Sequence, residues 1–143
     1  MPYSKKTIQH FEFEEGLRLN RYLDTTNNWT IGIGHKMTAD ELKNNITFIT
    51  REQAYSLLER DLDIAKENAK KIFPQYDTYP ENVKLALLDM AFNLGYSGLS
   101  KFITTIGLIK DRKFEEASVQ AMKSLWARQV PNRAKRVCKL LSG

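Results

Sequence analysis

Residues 15–35 read EGLRLNRYLDTTNNWTIGIGH, and the order of helix end, turn and glycine signals in this stretch decides the fold of the first third of the chain. Immediately upstream, between Lys5 and Glu15, Ile8, Phe11 and more loosely Phe13 recur at near-helical intervals. That spacing predicts a helix with Glu15 in its last turn, stopped by Gly16 as a left-handed residue. Downstream, Leu17, Leu19 and the β-favouring run Trp29-Thr30-Ile31 flank Asn27-Asn28. Asparagine tolerates the positive φ of tight turns, so a β-hairpin is predicted that carries Asp24 and Thr30. Gly32 and Gly34 lie two apart, and in a strand they would bare one face to a close approach by a ligand or another backbone.

Outward from the hairpin, everything from about Thr50 reads as helix. Thr50 and Gln53 form a capping box, and Ala54, Leu57, Leu58, Leu62, Ala65 and Ala69 trace a helical stripe toward Ile72 and Phe73 before Pro74 ends it. After Pro80 the run VKLALLDMAFNLG, residues 83–95, is apolar almost all round, which predicts a helix inside a bundle with Gly95 as its C-terminal cap. Further helices are expected over 100–110, 114–127 and 131–141, the last with Pro131 at its first position. At 143 residues the chain fits one folding unit. The fold class expected is α+β and mostly helical: a small hairpin-containing lobe over about 12–49, a connecting helix over about 50–73, and a larger helical lobe over about 74–143 that the N-terminal helix joins.

Two carboxylates and a hydroxyl spaced across a helix end and a hairpin fit the hydrolysis of a glycosidic bond. One carboxylic acid protonates the leaving oxygen, and one carboxylate activates water or attacks the anomeric carbon. The acid needs a partly desolvated pocket to keep its proton, whereas the second group stays ionised in wetter surroundings. Glu15 at a helix end and Asp24 in a hairpin loop offer that contrast, and a sugar chain is then one candidate for the group that approaches Gly32 and Gly34.

The segment resembles the phage-type lysozymes, the muramidase family of glycoside hydrolases typified by the lysozyme of T-even bacteriophages. The residues that carry the resemblance are E-G-L-R-L, Y-x-D-T and T-I-G-I-G-H. It continues through T-x-E-x-A-x-x-L-L-x-x-D-L-D, which contains Asp61, then L-L-D-M-A-F-N-L-G and W-x-x-Q-x-P-N-R-A-K-R-V, and so covers nearly the whole chain. It implies a lysozyme-like fold, with Glu15 as general acid, Asp24 as the second catalytic carboxylate and Thr30 as the hydroxyl that helps hold the attacking water. It further implies supporting ion pairs: His35 with Asp61, Arg133 with Glu15, and Arg136 with Glu14. Substrate contacts fall on Phe92, Thr105, Gln120 and Lys36, the last where the family prototype has an aliphatic residue. The stretch between His35 and Thr50 is shorter than in the prototype, so the small lobe is expected to be reduced.

The reaction implied is hydrolysis of the β-1,4 bond between N-acetylmuramic acid and N-acetylglucosamine in peptidoglycan, with inversion, by an endolysin acting in host lysis. For inversion the two carboxyls should stand roughly 6.5–9.5 Å apart. The alternatives are a catalytically inactive peptidoglycan-binding protein on the same fold, which would not need all three groups, and a lytic transglycosylase, which would dispense with Asp24 as base.

Composition sets further expectations. The opening MPYSKKTIQHF lacks the apolar core of a secretory signal, and no apolar stretch approaches the ~20 residues of a membrane span. By resemblance, the protein accumulates in the host cytoplasm and reaches the wall when a holin permeabilises the inner membrane; nothing in the sequence demands more than a monomer. The lone Cys138 excludes an intramolecular disulfide and reads as a small buried hydrophobe. With only His10, His35 and one cysteine there is no zinc-ligand spacing, and the G-I-G of the hairpin lacks a phosphate-loop lysine, so neither metal nor cofactor is expected. Of the net charge of +5, residues 110–143 hold +6 and the remainder −1. That asymmetry fits salt-dependent attraction to an acidic cell envelope, whereas nucleic acid is not an expected partner because no aromatic and basic interleaving accompanies the charge.

Overall fold

The computed structural model describes residues 3–143; Met1 and Pro2, the first residues of the opening MPYSKKTIQHF, lie outside them. The fold is α+β and mostly helical, with one three-stranded antiparallel sheet in the order β1-β2-β3. The chain divides into two compact units, one running through Leu62 and the other from Asp63 to Gly143.

In the first unit, α1 (Lys5–Glu15) starts on Ser4, whose hydroxyl accepts from the Thr7 amide. It ends at Gly16, which has the positive φ expected (73°) but an extended ψ of 160°, so the chain leaves the helix directly into a strand. β1 (Arg18–Leu23) and β2 (Trp29–Gly32) form the hairpin, with Tyr22 opposite Thr30 and Leu23 opposite Trp29. Asn27, at φ 63°, turns the chain between them. β3 (His35–Lys36) pairs with β2, placing Lys36 opposite Thr30 and His35 opposite Ile31. The other edge of β1 is covered by residues 47–49, through Arg21 N to Thr47 O (3.0 Å) and Ile49 N to Leu19 O (2.9 Å). Under the sheet, Ile31, Ile49 and Ala54 are buried together, with Leu17, Leu19, Met37 and Leu57 packed against them.

Two features here differ from the sequence reading. Gly34 lies outside the strands and Gly32 is the last residue of β2, and both take positive φ (71° at Gly32, 67° at Gly34), so they reverse the chain between β2 and β3 and present no shared strand face. What approaches them is the protein itself: a Cβ at Gly32 would stand 3.4 Å from Ile49 and 3.5 Å from Ala54. The second difference is α2 (Ala39–Lys43), a short helix in the stretch that sequence spacing left without an element. Its start is a capping box, with Thr38 Oγ1 accepting from Glu41 N (3.2 Å) and Glu41 Oε1 accepting from Thr38 N (2.7 Å).

α3 (Arg51–Ile72) runs through the boundary between the units. The Thr50–Gln53 capping box forms in both directions, at 2.8 and 3.1 Å, and the predicted stripe is buried at Ala54, Leu58, Leu62, Ala65, Ala69, Ile72 and Phe73.

The second unit is built around α4 (Glu81–Ser100), which buries a nearly continuous run from Leu85 to Ala91. Gly95, at φ 71° and ψ 175°, interrupts it where the sequence places a cap, after which a short helical stretch resumes. α8 (Pro131–Ser142) packs on α4 through a face that buries Ala134, Val137, Cys138 and Leu141. α5 begins later than expected (Ile103–Lys110). The helix predicted over 114–127 is two, α6 (Phe114–Ala121) and α7 (Leu125–Gln129). Ser124 divides them: its hydroxyl donates to Ala121 O (2.7 Å) and accepts from Ala127 N (3.2 Å), closing one helix and capping the next. Burial raises the Cys138 thiol to about 11, in keeping with its place as a small apolar side chain. Among the described residues no helix is long and apolar enough to cross a membrane.

Candidate active site

Glu15 is the last residue of α1, and the turn after β2 brings Gly34 against its side chain. A Cβ at Gly34 would lie 2.6 Å from Glu15 Oε1 and 2.7 Å from Cδ and Cγ. Bare backbone is therefore one wall of the Glu15 carboxyl's site, and the positive φ at the same residue independently selects glycine.

Asp24 follows the end of β1 in the hairpin loop. Its Oδ1 accepts from Thr26 N (2.8 Å), Thr26 Oγ1 (2.8 Å) and Asn28 N (2.9 Å). These donors, the Asn28 amide first and the Thr26 hydroxyl next, hold the carboxyl below its ordinary value; the Lys36 ammonium adds a smaller pull the same way. Thr30 is buried on β2 and donates to Asn28 O at 3.0 Å, the same carbonyl that accepts from Asp24 N at 3.0 Å. Asp24 and Thr30 thus hang from one peptide group. Opposite Thr30, Tyr22 has its phenol pushed up by burial and then by the charge of Glu15, with Arg18 opposing and Asp24 adding to the rise. The Arg18 guanidinium stands 4.3 Å from the Tyr22 ring centre.

His35 is buried, with Nδ1 2.7 Å from Asp61 Oδ2 and Nε2 2.9 Å from Glu41 Oε1. The Asp61 hydrogen bond outweighs desolvation and raises the imidazole's pKa, with Glu41 adding to the effect. Glu41 is lowered in turn: burial opposes ionisation, but the Thr38 amide and His35 together outweigh it. In the second unit Arg133 grips Asp89, Nε to Oδ1 at 3.1 Å and Nη2 to Oδ2 at 3.2 Å, with Asp89 fully buried and Arg133 nearly so. Arg136 is exposed on α8.

Of the residues expected to touch substrate, Thr105 and Gln120 are brought together. They line one cavity of about 450 Å³ in the second unit with Leu94, Phe102 and Trp126. Lys101 and Lys123 line it too, and no carboxylate does. Phe92 is half-buried on α4 and does not line this cavity, whereas Lys36 lies on β3 opposite Thr30. Sequence reasoning missed Tyr22, Thr26, Asn28, Glu41 and Asp89. Glu41 was signalled by its capping box with Thr38. Asp89 was signalled as a lone carboxylate in an apolar helix, where a buried charge requires a partner.

The phage lysozyme family matches residues 12–141. A protein named probable T4-type lysozyme 2, from Dictyostelium discoideum, is 32% identical over 148 aligned positions that cover 88% of this chain and 87% of the relative. The pre-baseplate central spike protein Gp5 of Enterobacteria phage T4 is 33% identical over 149 positions, 90% of this chain and 26% of that longer protein. A peptidoglycan hydrolase, gp36 of Enterobacteria phage SP6, is 25% identical over 109 positions, 66% of this chain and 11% of its own length. Over nearly its whole length, then, this chain belongs to the phage lysozyme family, and its function is that of a cell-wall lytic hydrolase.

Proposed function

We propose that the protein is a muramidase that hydrolyses the β-1,4 bond between N-acetylmuramic acid and N-acetylglucosamine in peptidoglycan. Glu15 is the general acid, donating its proton to the leaving glycosidic oxygen. Asp24 is the base that takes a proton from the attacking water, and Thr30 helps hold that water. Attack by water in one displacement inverts the anomeric centre. Family membership supports the reading, as does the peptidoglycan hydrolase among the relatives. The observation that carries it is the anchoring of Asp24 and Thr30 to the carbonyl of Asn28, with Asp24 kept ionised by donors on one oxygen. A fixed, ionised carboxylate beside a hydroxyl suits water activation, which a lytic transglycosylase does not need.

On this reading Thr105, Gln120 and their cavity bind sugar substituents, Phe92 offers an apolar face, and Lys36 acts beside Asp24. The protein acts as a monomeric endolysin, made in the host cytoplasm and reaching the wall after a holin opens the inner membrane. The test is mass spectrometry of fragments released from purified peptidoglycan by the wild type and by Glu15→Gln, which keeps the shape of the side chain and removes its transferable proton. Products ending in reducing muramic acid, absent with the variant, are expected. Anhydro-muramic products would redirect the chemistry to transglycosylation, and no products from folded wild-type protein would leave a glycan-binding role.

A further inference from the structure

We propose that Thr26 and Asn28 are positioning residues for the hydrolysis: together they tie off Oδ1 of Asp24 so that Oδ2 alone meets the attacking water. The inference rests on the reading of Asp24 as the base.

The Asp24 carboxylate is held asymmetrically. Three donors converge on Oδ1, two from Thr26 and one from Asn28, at 2.8, 2.8 and 2.9 Å. Among the described residues no donor reaches Oδ2. A carboxylate oxygen offers two lone pairs, so Oδ1 is saturated and Oδ2 keeps its basicity for solvent. Torsion about the last bond of an aspartate is otherwise broad and two-fold, which would leave the two oxygens interchangeable.

Proton accounting fixes the direction of every bond in the strap. The ionised carboxylate only accepts, so the single hydroxyl proton of Thr26 goes to Oδ1. The Thr26 oxygen is then free to accept, and Asn28 Nδ2 donates to it at 2.9 Å. The carbonyl of Asn28 accepts the hydroxyl proton of Thr30 at 3.0 Å, which commits that proton and leaves Thr30 an acceptor toward water. A water held by Asp24 Oδ2 and Thr30 Oγ1 therefore gives both its protons to protein oxygens and keeps a lone pair for the anomeric carbon. In the step itself the water oxygen bonds to that carbon, one water proton passes to Oδ2, and the bond to the leaving oxygen breaks as Glu15 supplies its proton. Fixing the acceptor beforehand removes a reorganisation from the barrier.

Thr26 is exposed at the hairpin tip, so its substitution leaves the buried cluster of the first unit untouched. The experiment measures kcat, KM and the pH profile of Thr26→Val, Thr26→Ser and Asp24→Asn on soluble peptidoglycan fragments. Thr26→Val is expected to lower kcat by about tenfold with KM little changed, the scale on which small misplacements cost rate. It should also move the acidic limb of kcat/KM upward, because the base has lost a donor to its ionised form. Thr26→Ser should restore both. Wild-type kcat and an unmoved acidic limb in Thr26→Val would overturn the proposal. So would equal losses in Thr26→Val and Thr26→Ser with no movement of the limb, since that is what a role in loop folding alone predicts. Turnover retained by Asp24→Asn would instead sink the reading of Asp24 as base, whatever Thr26 does.

Discussion

The two units of this protein are specified by different forces. The first has a small apolar cluster under its sheet, Ile31, Ile49 and Ala54 with four partly buried neighbours, and also buries Phe11, Ile33, Leu58 and Leu62, but its key side chains are placed by backbone amides, hydroxyls, capping boxes and positive-φ residues. The second buries a long apolar run on α4 against α8, and its central ion pair, Asp89 with Arg133, sits inside that packing. Hydrogen bonds fix direction to within a fraction of an ångström but add little net stability each, whereas burial adds stability without direction. Orientation of the proposed catalytic groups is therefore concentrated in one unit, and the energetic penalties for disruption should be largest in the other.

The sharpest test of that division is Asp89→Leu. It removes two acceptor oxygens from the Arg133 guanidinium at a site with no exposure to water, and breaking one side of a buried pair costs about 3–5 kcal/mol. A large fall in Tm by calorimetry is expected, with much of it recovered in the double variant Asp89→Leu/Arg133→Met. A Tm within a degree or so of wild type would show the pair to be peripheral to the unit's stability.

Gly34→Ala probes the other unit and should act chiefly on rate. Its Cβ would overlap the Glu15 carboxyl, and φ 67° strains an L-residue by about 1–2 kcal/mol. Displacing Glu15 by roughly 1 Å should cost about a hundredfold in kcat, more than the stability loss accounts for. Wild-type kcat in this variant would break the link between the glycine turn and Glu15.

The same division explains what was legible in the sequence. Elements that rest on periodicity or on one strong local signal were readable: α1, the hairpin, α3 with its Thr50–Gln53 box, and the buried run of α4. The split between α6 and α7 was not, because a single Ser124 hydroxyl outcompeted a pattern that still looked helical. Gly32 and Gly34 were recognised as sites of close approach by a ligand or another part of the chain, but periodicity placed them on one strand face, whereas they reverse the chain against its own atoms. At the candidate site, the roles proposed for Glu15, Asp24 and Thr30 come from the family motifs, because two carboxylates and a hydroxyl at that spacing decide nothing alone. The Thr26–Asn28 strap was not, since it depends on the loop shape that Asn27 sets by its positive φ. Asp89 and Arg133 are 44 positions apart, beyond the reach of local reading.

The smallest expected effect is also the most diagnostic, because it is the one that pH can switch. His35 lies between Asp61 and Glu41, and its pKa is raised in the folded protein above the ordinary 6.5. Its contribution to stability is therefore fully present below pH 6.5 and is lost as pH rises through the raised folded value. Glu41 is lowered from 4.5, so its contribution is present above pH 4.5 and is lost as pH falls through its folded value. The two windows overlap in mild acid. There His35→Asn should cost about 1–3 kcal/mol, the range for a charge-assisted hydrogen bond, and the cost should shrink toward alkaline pH. Glu41→Gln should narrow the pH dependence while sparing α2, because glutamine still completes the capping box with Thr38. If denaturant midpoints measured from about pH 5 to 9 gave a constant cost for His35→Asn, the imidazole would be acting through packing alone, and the polar account of the first unit would fail at its most buried ionisable group.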